Sequence, residues 1–214
     1  MKTRCIVLTT MVTLAALSTQ AQKTTFGVRA GVNFQNINGK DAADDKLDFK
    51  LKTGFHVGAN AEIPIADEFY LQPGVLFSTK GAKADEGDGK VNIAYIEVPI
   101  NFLYKGDLGD GKLLLGVGPY IAFGVGGKIK EGGNEADLKF KNEITPAEAM
   151  ADPYLKRIDA GGNLLAGYEF NNKFSFQLNA QLGLVKINPK IKGVSNDDTK
   201  WKNTGFGLSV GYRF

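Results

Sequence analysis

The sequence predicts an all-β fold: an eight-stranded antiparallel up-and-down transmembrane β-barrel with long external loops and short periplasmic turns. Three regularities support it, namely alternating segments, alternating connection lengths and aromatic residues gathered at one set of segment ends. The pattern is plainest at the end of the chain, where residues 202–214 read KNTGFGLSVGYRF. From Phe206 to Phe214 every second residue is bulky and apolar, and the residues between are glycine, Ser209 and Arg213. Such a period of two predicts a strand with one face in an apolar medium.

Eight segments share this alternation. In chain order they are residues 25–34, 54–63, 69–78, 92–105, 113–126, 157–170, 174–184 and 202–214. In the third segment, Pro73 and Leu76 break the pattern. The segments are about as long as a tilted strand must be to cross a bilayer of roughly 30 Å. Because an open sheet edge in lipid would leave backbone groups unpaired, eight such strands must close on themselves.

The connections alternate in length. Long ones span residues 35–51, 80–91, 128–156 and 186–201, and short ones span 64–68, 106–111 and 171–173. This arrangement places the long loops outside and both termini on the periplasmic side. We expect little regular structure in the loops, apart from a two-turn helix that begins at a capping box, Thr145 with Glu148, and has Pro146 at its first position.

Aromatic residues at the periplasmic segment ends predict a girdle at one membrane interface. Its members are Phe26, Phe69, Phe102, Tyr104, Tyr168, Phe170, Phe174, Tyr212 and Phe214.

The amino terminus predicts export. Lys2 and Arg4 precede an apolar run that ends in the cleavage-like tripeptide TQA. We therefore expect a signal peptide over residues 1–21, cut near Ala21, and a barrel domain over 22–214. The single cysteine, Cys5, would leave with the signal peptide, which excludes disulfides and cysteine ligands from the mature chain. Without its two cationic residues the net charge falls from +3 to +1, and no basic patch suggests nucleic acid.

Charged residues on the inward faces predict an ion-pair network that plugs the barrel, because eight strands enclose just enough room for side chains and buried charges must be paired. The candidates are Arg29, Glu62, Glu97, Arg157, Asp159, Glu169 and Arg213. The alternative is a narrow, gated polar path for small solutes.

Each candidate catalytic or ligand-binding motif in the sequence lacks residues or spacing that its chemistry requires. We therefore predict no enzyme activity, catalytic residue, cofactor or metal. Residues 207–211 match G-x-S-x-G, but neither an acid nor a histidine follows the serine. Residues 124–128 lack two positions of a phosphate loop, and the acidic runs 85–89 and 196–198 lack calcium-site spacing. His56 is interpreted as a hydrogen-bonded interior histidine; a catalytic base for Ser78 or Ser209, in a small barrel enzyme acting on lipid or surface peptide, is the alternative.

Three stretches carry a family resemblance: YIEVPI at 95–100, GVGPY at 116–120, and RIDAG at 157–161 leading to AGYEF at 166–170. With these stretches in this order, the chain resembles the PorT-like family of Bacteroidota outer-membrane barrels. The resemblance implies an eight-stranded barrel in the bacterial outer membrane, and it does not imply one activity. We expect a structural or interaction role, with a possible link to protein secretion. The expected partners are outer-membrane lipid and lipopolysaccharide, the barrel-assembly machinery through the C-terminal strand, and a secretion-complex or cell-surface protein.

Overall fold

The protein is described here by a computed structural model that covers residues 24–40, 45–47, 49–194 and 199–214. The expected signal peptide, its cleavage point near Ala21 and the acidic run 196–198 lie outside these residues.

The described chain consists of β-strands and one short helix. In order, they are β1 Thr25–Lys40, β2 Phe49–Ala66, β3 Phe69–Ala84, β4 Lys90–Leu108, β5 Gly111–Glu131, β6 Asn134–Asp137, β7 Lys139–Phe140, β8 Glu143–Ile144, α1 Pro146–Ala151, β9 Tyr154–Leu155, β10 Ile158–Phe170, β11 Phe174–Gly183, β12 Lys190–Ile191 and β13 Lys200–Arg213. No helix among the described residues is long and apolar enough to cross a membrane.

Eight of the strands form a closed antiparallel barrel. Their order around the sheet is β10, β11, β13, β1, β2, β3, β4 and β5, and a pairing of β5 with β10 completes the circle. The first and last strands pair from Gly27 with Arg213 to Lys40 with Lys200. Each strand therefore lies beside its neighbours in the chain, which confirms the predicted fold class.

The alternation of faces follows the sequence closely. On β13, Leu208 points outward and is 52% exposed, whereas its neighbour Ser209 points inward and is 3% exposed. The expected break in the third segment is wrong: Val75 faces outward and Leu76 inward, so β3 keeps a period of two from Leu71 to Ser78. The interior at this point simply accepts an apolar side chain.

The barrel has two unlike ends. The turn end carries the three short connections and Arg213, and the loop end carries the long connections. At the turn end the aromatic rings form contacts with centroids 5.0–6.0 Å apart, among them Phe69 with Phe102 and Tyr104, and Tyr212 with Phe174 and Phe214. Phe26 is 62% exposed at the same end.

The third and fourth loops carry more regular structure than expected. Residues 134–155 and 187–191, here named the loop cap, contain the short strands, with β7 parallel to β9 and β8 parallel to β12. The backbone N–H of Ile187 donates to the carbonyl of Trp201 at 2.8 Å, which ties the cap to the barrel. The predicted capping box is confirmed: Thr145 caps α1 and Glu148 closes the box.

Candidate functional site: a closed polar interior

An ion-pair cluster fills the turn end of the interior. The carboxylate of Glu62, on β2, forms an ion pair with the guanidinium of Arg213, on β13, and another with Lys105, on β4, at 2.8 Å. Lys105 also contacts Glu169, on β10, at 2.9 Å. Arg213 donates a further hydrogen bond to Asn60 at 2.8 Å. Two cations and two carboxylates therefore neutralise each other across four strands.

A line of amide side chains extends this cluster toward the middle of the barrel. Gln72 donates to Glu62 at 3.3 Å, Asn101 donates to Gln72 at 3.2 Å, and Asn163 donates to Asn101 at 2.9 Å. All three amides are buried. Each acceptor oxygen meets a donor, so the line satisfies polar groups that would otherwise be costly to bury.

A second ion-pair cluster lies nearer the loop end, around Lys80 of β3. Its ammonium group is 2.9 Å from Glu97 and 3.2 Å from Asp159, and all three side chains are at most 2% exposed. The same group lies 4.1 Å from the ring centroid of Tyr120, in cation–π contact. Asp159 also accepts from the amide of Asn203 at 3.0 Å. The cluster thus joins β3, β4, β5, β10 and β13.

Between the two clusters, His56 bridges Ser209 and Asn33. Its Nε2 is 2.7 Å from the Ser209 hydroxyl, and its Nδ1 is 2.7 Å from the Asn33 side-chain oxygen. Gly31 leaves room for the ring, since a Cβ there would lie 2.7 Å from His56 Cε1. This is the order of a serine–histidine–asparagine hydrolase site.

The surroundings of Ser209 argue against that chemistry. Its hydroxyl already accepts from Asn179 at 2.9 Å, and the serine and histidine are 3% and 6% exposed. The adjoining cavity measures about 20 Å³, room for one water but not for an acyl substrate. The arrangement therefore holds strands together.

The structure brings most of the predicted interior charges together, with two exceptions. Arg157 precedes β10, is exposed and stacks over the ring of Phe140 at 5.3 Å, so its predicted place in the interior is corrected. The alternation that suggested an inward side chain does not apply, because the strand begins one residue later. Arg29 is buried beside Glu97 at the small cavity, but it forms no ion pair within 4.0 Å among the described residues.

Sequence reasoning missed the two lysines on which both clusters depend. The sequence pattern places Lys80 in the long connection 80–91 and Lys105 at the end of the segment 92–105. Both continue the inward sets of their strands, Ser78 before Lys80 and Asn101 before Lys105, each at a multiple of two residues. Extending the period of two into the charged ends of the strands would have found them.

Above the second cluster, the interior becomes apolar. Ile93, Tyr95 and Ala122 of the barrel pack with Leu155 and Ile187 of the loop cap, and all five are at most 2% exposed. The predicted ion-pair network therefore does not extend to the loop end, where barrel strands and loops build a small apolar core together.

Outside the membrane-spanning part, hydrogen bonds lower the pKa values of two loop carboxylates, Glu148 and Asp88. The Lys141 ammonium group, 2.5 Å away, and the backbone N–H of Thr145 lower the pKa of Glu148 to about 2. Backbone N–H groups of Gly132 and Gly133 likewise lower the pKa of Asp88, which ties the second loop to the β5–β6 turn. Within the described residues, no group of three His, Cys, Asp or Glu side chains could hold a metal ion.

Comparison with known proteins gives one family and several barrels. Residues 20–188 match a family model described as an outer membrane protein beta-barrel domain. Ail, the attachment invasion locus protein of Yersinia pestis, is 15% identical with a TM-score of 0.42, over 89% of this chain and 99% of that one. Neisserial surface protein A is 14% identical with a TM-score of 0.46, over 88% and 97%. OprG of Pseudomonas aeruginosa is 13% identical with a TM-score of 0.47, over 89% and 95%. No curated protein matches the chain.

Proposed function

The chain belongs to the outer membrane protein β-barrel family of bacterial outer membranes, and from this premise we propose that it is a closed, non-enzymatic barrel that acts through its external surface. The barrel anchors the protein, and the loop cap presents a structural or interaction surface to the cell exterior. One observation carries the proposal: two ion-pair clusters and the amides between them fill the interior from Arg213 to Lys80.

The filled interior favours this role over that of a pore. Lys80 forms ion pairs with two carboxylates on other strands, Glu97 and Asp159. Opening a path past Lys80 would separate these charges, which are almost fully buried. Removing one partner of such a buried pair costs about 3–5 kcal/mol, and on that scale a state with these charges separated would be populated below about 1%. A small-solute pore or an enzyme would need an accessible polar channel or cleft at this level.

Recording single-channel currents in planar lipid bilayers tests the closed state. Purified protein should give no steady conductance above the bare bilayer, while a general porin in the same buffer supplies the positive control. Sizeable steady currents from the folded protein would contradict the proposal and favour the narrow pore.

We extend the proposal to membership of the PorT-like group and to a link with protein secretion, on the resemblance of residues 95–100, 116–120 and 157–170 alone. Deleting the gene and quantifying secreted proteins tests it: loss of specific exported proteins supports the link, and an unchanged secretome contradicts it. On the same footing we propose lipid, lipopolysaccharide and the assembly machinery as partners, the last through a C-terminal strand that ends on Phe214, 64% exposed.

A further inference from the structure

The loop end of the barrel encloses an apolar cavity of about 350 Å³. It lies between the barrel mouth and the loop cap, so its walls come from five barrel strands as well as from the cap. The side chains that matter for the argument are Ile37, Phe49, Val91, Ile129, Tyr154 and Trp201.

Two polar side chains in the wall, those of Asp152 and Asn188, are already engaged. Asp152 forms an ion pair with Lys139 at 2.6 Å. Asn188 accepts from the backbone N–H of Trp201 at 3.1 Å and donates to the carbonyl of Thr199 at 3.1 Å. These groups hold the walls in place and offer little to a charged ligand. The surface that remains is hydrocarbon and aromatic.

The indole nitrogen of Trp201 is not available to a molecule in the cavity. Its Nε1–H is buried and has no hydrogen-bond acceptor among the described residues, but it has almost no accessible surface and so does not open onto the cavity. Trp201 therefore contributes to the wall through its apolar atoms.

The cavity has a closed floor. Its walls at Ile37, Phe49 and Trp201 pack against the apolar cluster that contains Tyr95 and Tyr120. Beneath that cluster, the ammonium group of Lys80 lies against the Tyr120 ring and two carboxylates. A molecule that enters from outside therefore meets a dead end, which suits capture rather than passage.

We propose that this cavity binds one small apolar molecule, ring-containing or branched. Its volume is at the low end of the range of about 300–1,000 Å³ typical of small-molecule sites. The cavity lies between the barrel mouth and the loop cap and does not open on the lipid-facing surface, which favours a small soluble compound over a membrane lipid. Apolar cavities take up such molecules because the walls gain little from water.

Trp201 is the chain's one tryptophan, so its fluorescence reports on this cavity directly. We would titrate the folded protein in lipid nanodiscs with 1-bromonaphthalene, whose heavy atom quenches indole fluorescence on contact. The expected result is saturable quenching. A reporter variant, Trp201→Phe combined with Phe206→Trp on the lipid-facing side of β13, should show only linear quenching from probe dissolved in the lipid.

Two matched substitutions locate the binding. Val91→Phe fills part of the cavity and should weaken the probe's apparent affinity at least tenfold, whereas Val125→Phe, at a lipid-facing position that is 55% exposed, should leave it unchanged. The shift in gel mobility between unheated and boiled samples shows that each variant is folded. Non-saturable quenching of Trp201, or equal affinities in the two variants, would overturn the proposal.

Discussion

Glu62→Gln tests whether the buried ion pairs at the turn end stabilise the barrel. Glu62 is 1% exposed and contacts Arg213, Lys105 at 2.8 Å and Gln72 at 3.3 Å. In the variant, Lys105 keeps Glu169 at 2.9 Å, but Arg213 keeps only the neutral amide of Asn60. One buried cation is therefore left without a counter-ion.

The magnitude follows from that single unpaired charge. Removing one partner of a buried pair costs about 3–5 kcal/mol, and glutamine retains an acceptor oxygen, so we expect about 3 kcal/mol. At about 1.4 kcal/mol per factor of ten, the unfolding equilibrium constant rises roughly 100-fold. Reversible urea unfolding in lipid vesicles, followed by Trp201 fluorescence, measures it.

Asp107→Asn is the matched control. Asp107 contacts Lys112 at 2.7 Å, but the two side chains are 81% and 43% exposed, so less than about 1 kcal/mol is expected. The double variant Glu62→Gln with Arg213→Gln should recover part of the loss, because no cation then lacks a counter-ion. If Glu62→Gln and Asp107→Asn shift the midpoint equally, the turn-end cluster does not stabilise the fold as argued.

Three further predictions concern the second cluster and the loop cap. Lys80→Met removes the cation that Glu97 and Asp159 share, which leaves two buried carboxylates without an ion-pair partner. The folded band that shifts on heating should therefore be lost or greatly reduced on gels, and a band of wild-type intensity would count against the cluster. Thr145→Ala removes the cap of α1 at a cost of about 1 kcal/mol, so amide exchange in α1 should accelerate about fivefold, and unchanged exchange would refute the role of the cap. Since the pKa of Glu148 is lowered to about 2 in the folded protein, its contribution to ordering α1 is complete above about pH 4.5 and is lost as the pH falls toward 2. Exchange corrected for its intrinsic pH dependence should show this loss between those values, and protection that stays constant down to pH 2 would contradict it.

The barrel could be predicted from sequence because its signal is repeated eight times. A strand with lipid on one side and a crowded interior on the other must alternate between apolar and small or polar residues. The local pattern alone therefore predicts that Leu208 faces outward and Ser209 inward. The capping box at Thr145 was predictable for the same reason, since it depends on residues three apart.

The interior clusters were only partly predictable, because strand register and strand length decide which inward-facing side chains come into contact. Sequence alone could place Glu62 and Arg213 on inward faces at the turn end. Lys80 falls in a predicted loop because a lysine followed by Gly81 is typical of a loop, although the period of two continued from Ser78 places its side chain on the inward face. Arg157 shows the opposite error, in which alternation was continued one residue beyond the strand.

The loop cap was out of reach for a different reason. Its short parallel pairs are held by contacts between segments far apart in the chain, such as Lys190 with Glu143. Ile187 and Leu155 look like isolated apolar residues in polar loops, and their burial depends on barrel strands that continue beyond the membrane. Local pattern carries no information about such contacts.

The closed interior is the central claim, and cysteine accessibility tests it most directly. Cys5 is the only cysteine in the sequence and lies in the expected signal peptide, so single cysteines can be placed one at a time. Ser209→Cys places a thiol of similar size at a position that is 3% exposed in mid-barrel, and Met150→Cys places one on the loop cap at 91% exposure. With a membrane-impermeant maleimide, we predict rapid labelling at position 150 and none at position 209 in the folded protein; comparable labelling at both would show that an open aqueous path runs through the barrel.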